Sequence, residues 1–112
     1  MVTPSIGTVV LVLFPFSDLS ASKLRPALVI ASSGRGDWVC IQITSNPYSD
    51  HLAIEVNDSD FQIGSLNRLS YIRPGKLFTA NQSLFRRSVG KITERKLHEV
   101  RETIIALLKN NE

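Results

Sequence analysis

Residues 7–30 read GTVVLVLFPFSDLSASKLRPALVI. Two apolar runs, Thr8–Phe14 and Leu24–Ile30, stand on either side of a polar loop. Each is rich in valine and leucine and short enough for a buried strand. Arg25 stands at the mouth of the second run, directly before Pro26. A charge at the entry of a buried strand is costly unless it meets an anion. A guanidinium held on a rigid strand edge beneath an adaptable loop suits phosphate recognition.

The rest of the chain is built around this pair. At 112 residues it has the length of one domain with its own core. Hydrophobic residues make up 43% and charged residues 21%, which excludes a disordered chain. No apolar stretch has the length of a membrane span, and no basic segment leads into a long apolar one, so neither a membrane helix nor a secretory signal is expected. Cys40 is the single cysteine, which excludes an internal disulfide and fits a reducing, cytoplasmic setting. The net charge is +3, and its distribution says more than its size. Phe61–Thr93 contains no Asp or Glu but holds Arg68, Arg73, Lys76, Arg86, Arg87 and Lys91. One-sided positive charge fits either a polyanionic partner or a solvated face.

Downstream of Arg25, strand two is expected over Leu24–Ala31 and a hairpin turn over Ser33–Asp37, where glycines accept positive φ. Strand three, Trp38–Thr44, alternates: Val39, Ile41 and Ile43 face one way, Trp38, Cys40, Gln42 and Thr44 the other. A loop over Ser45–His51, a short strand over Leu52–Val56 and an acidic turn over Asn57–Asp60 follow. Leu66–Arg73 reads as a strand broken by Pro74-Gly75, then come short strands Lys76–Thr79 and Ser88–Ile92 around a turn near Asn81–Phe85. The last element is a helix capped by Thr93, with Leu97, Val100, Ile104 and Leu107 on one face, joined by Leu108. Several short strands and one terminal helix predict a mainly β (α+β) fold, a small SH3-like curled sheet or barrel with a C-terminal helix.

Most catalytic chemistries lack their residues. His51, His98 and Cys40 have no metal-ligand spacing, and Cys40 reads as a strand filler. There is no phosphate loop, dinucleotide fingerprint or serine elbow. The remaining signal is geometric. A hairpin folded about residue 34 or 35 brings Arg25 opposite Thr44, since facing positions mirror each other about the turn. The loops Pro15–Lys23 and Ser45–His51 then share one end of the sheet. On the residues alone, pairing of Arg25 with Asp18 is the competing arrangement.

The pattern GTVVLVLFPFSDLSASKLRPALVIAS, with CIQITSNP, SLNRLSYIRPGKLFT and RRSVGKIT…LHEVRETIIALL, resembles the MazF/PemK-like toxins of bacterial toxin–antitoxin systems. The resemblance spans nearly the whole chain. It implies an SH3-like barrel, commonly a homodimer, that cuts single-stranded RNA sequence-selectively, with no metal or other cofactor. It also implies a cognate acidic antitoxin as partner. The family's catalytic arginine and threonine match Arg25 and Thr44. Some members carry an acidic residue where Ser70 stands, after an arginine matching Arg68, so no carboxylate base is available at that position. The first loop, with Asp18 and Ser22, also departs from the family and is expected to help set base preference. Phe16 and Tyr48 are stacking candidates for unpaired bases, whereas Phe14 reads as core. Lys23, Asn46 and Arg73 are phosphate or base contacts by position. A gyrase-poison-like protein-binding toxin of the same fold, or a degenerate antitoxin-binding paralogue, are the alternative functions.

Overall fold

The apolar runs of the sequence become the central strands of one antiparallel sheet. The computed structural model describes residues 4–15 and 22–110. Its elements are β1 (Thr8–Pro15), β2 (Ser22–Gly34), β3 (Asp37–Thr44), β4 (Ile54–Val56), β5 (Phe61–Gly64), β6 (Ser70–Asn81), β7 (Phe85–Ile92) and α1 (Glu94–Asn110). The spatial order is β4-β6-β3-β2-β1-β7-β5, a curled sheet closed on one side by α1, which packs against β6.

The strands in the middle are buried on both faces, which is why they read as continuous apolar runs. Val9, Leu28, Ile41, Ile43 and Ile72 join Leu97 and Val100 of α1 in one cluster. Their sequence neighbours Val10, Ala27, Val29 and Cys40 turn into a second cluster, roofed by Trp38 and Phe78. Alternate residues of one strand thus serve two cores. The predicted hairpin forms: Gly34 faces Asp37, and the two residues between them, Arg35 and Gly36, both take positive φ (59° and 80°), as a type I′ turn requires.

Several boundaries differ from the sequence reading, each for a physical reason. Pro74-Gly75 does not end a strand; β6 runs unbroken from Ser70 to Asn81. Against β3 its register jumps from Ile43↔Ile72 to Ile41↔Leu77, so Arg73–Lys76 bulge outward. A proline with no N–H to donate is tolerated in such a bulge, and Pro74 is fully buried there. Strand two is also longer than expected, reaching Gly34. The edge strand β5 was not legible, because Gln62, Ile63 and Gly64 are exposed and show no buried alternation. It pairs with β7, where Gly64 faces Gly90. Gly64 has φ +75°, and a Cβ there would lie 2.1 Å from the Val89 carbonyl oxygen. On α1, Thr93 caps as predicted, its hydroxyl accepting the Lys96 N–H at 3.2 Å. Leu108 does not join the core stripe; it is 72% exposed, and the packed face ends with Ile104.

Candidate active site

The end of the sheet opposite the β2–β3 turn carries two adjoining hollows. The first, about 310 Å³, is bounded by Phe14, Arg25, Thr44, Tyr48 and Arg73. The second, about 270 Å³, is bounded by Arg25, Thr44, Leu66, Arg68 and Ser70. Arg25, Pro26, Ile43 and Thr44 line both and so form the wall between them. The β2–β3 ladder explains this. Its last register pair before the site is Ala27↔Gln42, and continuing it by two residues sets Arg25 across from Thr44.

Each functional group is held by local geometry. Arg25 is exposed, on a strand that pairs with Val12 of β1. Thr44 ends β3 in a hydroxyl turn: Oγ1 donates to the Asn46 carbonyl and accepts the Asn46 N–H, both at 3.1 Å. The Asn46 side-chain oxygen accepts the Tyr48 N–H at 3.0 Å, which makes Asn46 a turn former as well as a candidate contact. Tyr48 and Ser49 take φ of 52° and 66°, and the Tyr48 ring stands 70% exposed at the mouth of the first hollow. Arg73 enters this hollow from the β6 bulge, the kind of irregularity that re-aims a side chain. Its Nε donates to Asp50 Oδ2 at 2.9 Å, and both side chains are largely buried. That hydrogen bond, first among several causes, holds the Asp50 carboxyl below its ordinary range.

The predicted residues therefore sort by position. Arg25, Thr44, Tyr48 and Arg73 meet in the first hollow, and Arg68 joins Arg25 and Thr44 in the second. Arg73 is ion-paired with Asp50, not simply poised for phosphate. Lys23 is exposed on β2, opposite Phe14, and lines neither hollow. Ser22 pairs with Pro15 at the start of β2, and Phe16 and Asp18 lie outside the described residues, as does any Arg25–Asp18 pairing. Phe14 is not merely core: it packs on Phe78 with ring centroids 4.8 Å apart and also borders the first hollow. Asp50, which holds Arg73, was not singled out by sequence reasoning, because nothing in the spacing of loop and bulge announces that they meet. Ser70 is buried, its hydroxyl donating to the Arg68 carbonyl at 3.2 Å. Cys40 is fully buried, and burial pushes its thiol up to about 12, which removes it from nucleophilic chemistry near neutrality. Among the described residues, no three His, Cys, Asp or Glu side chains gather as a metal site. Among the described residues, no helix is long and apolar enough to cross a membrane.

A curled seven-stranded β-sheet with one terminal helix is the fold of a class of small toxins, and sequence and structure comparisons agree on that class. The family model for PemK-like, MazF-like toxins of type II toxin–antitoxin systems matches residues 6–108, and this chain belongs to that family. No curated protein sequence matches it. Among solved structures, MazE-MazF (Form-II) from Deinococcus radiodurans is similar with a TM-score of 0.76 at 16% identity, covering 99% of this chain and 100% of that one. An endoribonuclease in complex with its cognate antitoxin from Mycobacterial species gives 0.72 at 16% identity, with coverage of 98% and 99%. The Mycobacterium tuberculosis toxin MazF-mt6 gives 0.70 at 14% identity, with coverage of 94% and 99%. At these identities the likeness is one of fold.

Proposed function

We propose that this chain is a cytoplasmic, sequence-selective endoribonuclease that cuts single-stranded RNA without a metal, acts as a homodimer and is restrained by an acidic antitoxin. The observation that carries this reading is the wall shared by the two hollows, where Arg25 and Thr44 stand together. A scissile phosphate set on that wall leaves one neighbouring nucleotide in each hollow. The ribose 2′-oxygen attacks phosphorus and gives up its proton to solvent, while the P–O5′ bond breaks and the departing O5′ takes a proton up from solvent. The products are a 2′,3′-cyclic phosphate and a 5′-OH.

Negative charge grows on the phosphoryl oxygens during this step, and the Arg25 guanidinium is the group to stabilise it. It does not serve as the base, because arginine stays protonated in proteins. Thr44 has a narrower role. Its proton and one lone pair are engaged by Asn46, so one acceptor position remains. That position suits the 2′-OH, which Thr44 orients for attack, and much of the rate then comes from positioning. Tyr48, exposed at the first hollow, is placed to stack on an unpaired base. The Phe61–Thr93 segment exposes Arg68, Lys76, Arg86 and Arg87 and carries no carboxylate, a charge that fits an acidic partner.

The test is cleavage of mixed single-stranded RNA in EDTA by the wild-type protein, Arg25→Ala and Thr44→Ala. Discrete fragments with cyclic-phosphate ends from wild type, and nearly none from either variant, are expected. Intact RNA with wild type, together with stalled DNA gyrase, would replace this reading by a protein-binding toxin.

A further inference from the structure

The Ser45–Ala53 loop is held far more firmly than its exposure suggests. Thr44 fastens Asn46, and Asn46 fastens Tyr48. From there the loop depends on Asp50. Its backbone N–H donates to the Pro47 carbonyl at 2.9 Å, and its carbonyl accepts the Ala53 N–H at 3.1 Å. Its Oδ1 accepts the Leu52 N–H at 3.0 Å, while Oδ2 takes the Arg73 Nε–H at 2.9 Å. Between the two anchors lie Tyr48 and Ser49, consecutive residues with positive φ. Non-glycine residues persist in that region only when their surroundings over-determine them. On its far side, the ion pair of Asp50 with Arg73 ties the loop to the β6 bulge.

We propose that Asp50, clamped by Arg73, is a positioning residue that presents Tyr48 as a preformed wall of the RNA-binding hollow. This rests on the nuclease reading above. Tyr48 and Arg73 line the first hollow, whereas Asp50 does not. Asp50 therefore acts through its neighbours. A free loop would have to be ordered when RNA binds, and that ordering would weaken affinity. A loop already fixed by an ion pair avoids that cost. The ion pair also fixes Arg73, whose remaining guanidinium hydrogens belong to a side chain facing the hollow.

The proposal makes a prediction opposite in sign to simple electrostatics. Removing a negative charge beside a polyanion site should tighten RNA binding if charge alone matters. If Asp50 positions the loop, Asp50→Asn weakens binding. Asparagine keeps a side-chain oxygen for the Leu52 N–H but loses the ion pair, so the substitution separates the turn from the clamp. The experiment uses the full chain. Cleavage kinetics are measured on mixed single-stranded RNA, and binding by anisotropy on a labelled 2′-O-methyl RNA pool that cannot be cut. Amide exchange over residues 46–53 reports the loop directly.

For Asp50→Asn the expected result is KM and the dissociation constant raised about tenfold, the scale of one charge-assisted hydrogen bond. The value of kcat should stay within about twofold, and loop amides should exchange faster. Arg73→Ala should act in the same direction, and the double variant should be no worse than the more affected single one. Unchanged or tighter binding by Asp50→Asn, or a loss confined to kcat, overturns the proposal while leaving the nuclease reading intact. Wild-type protein that neither binds nor cuts RNA overturns the nuclease reading itself, and this inference with it.

Discussion

Replacing Gly64 by alanine should damage the fold much more than the same change at Gly34, and the difference follows from the structure. Both glycines have positive φ, +75° and +95°. That backbone strains an alanine by about 1–2 kcal/mol, while the stiffer unfolded chain returns about 0.4–1 kcal/mol. At Gly34 nothing lies within 4 Å of the new Cβ, so the net loss there is about 0–1.6 kcal/mol. At Gly64 the Cβ would sit 2.1 Å from the Val89 carbonyl oxygen and 2.7 Å from the Gly90 Cα. Both obstacles are backbone, so β5 has to move away from β7 by more than an ångström. The Ser65 N–H to Val89 carbonyl bond, now 3.2 Å, cannot survive that shift. Losing it costs about 0.5–1.5 kcal/mol, and loosening Phe61, half-buried against the main core, adds a similar amount. The total for Gly64→Ala is about 2–3 kcal/mol, close to 10 °C in Tm for a domain of this size. Urea and thermal unfolding of both variants at one protein concentration measure the difference. Equal losses at the two positions would show that β5 does not press on β7 as described.

Three further outcomes are expected. Cys40 should resist thiol reagents in the native protein at pH 8 and react only on unfolding, because it is fully buried with its thiol raised to about 12; rapid native-state labelling would contradict this. Thr93→Ala should lower stability by about 0.5–2 kcal/mol through loss of the α1 cap, read by urea unfolding. The Asp50 carboxyl is depressed by Arg73, so the pair's contribution is complete above the ordinary aspartate value of 3.8 and is lost as pH falls below it; a carbon-13 titration of Asp50 should give a midpoint under 3.8, and one at or above it would contradict the ion pair.

The parts of the fold legible in the sequence were those governed by local chemistry. The hairpin at Arg35-Gly36 was announced by its glycines, and the α1 start by Thr93. The facing of Arg25 and Thr44 follows from a hairpin folded about residue 34 or 35; the turn itself is centred between Arg35 and Gly36, and two irregularities, after Val29 and after Ser32, together move the ladder by two residues into that register. What the sequence concealed was governed by distant partners. Pro74 reads as a breaker because local rules forbid it a ladder bond, yet the bulge in β6 removes the need for one. The β5 strand is four residues long and packs only Phe61 against the core, so its pairing with β7 is what reveals it. Asp50 looks like any loop acid until the bulge brings Arg73 across to it. Leu108 has the right helical spacing for the core, but the core ends before the helix does.

Burial of β1, β2 and β3 on both faces confines where this protein can change. A polar side chain introduced midway along any of them would enter one of two apolar interiors. Chemistry is thereby pushed to the rim of the sheet, where backbone pairing gives out and loops begin. On the nuclease reading proposed above, new base preferences arise by rewriting the Ser45–Ala53 connection, with the two-sided interior left untouched as a fixed chassis.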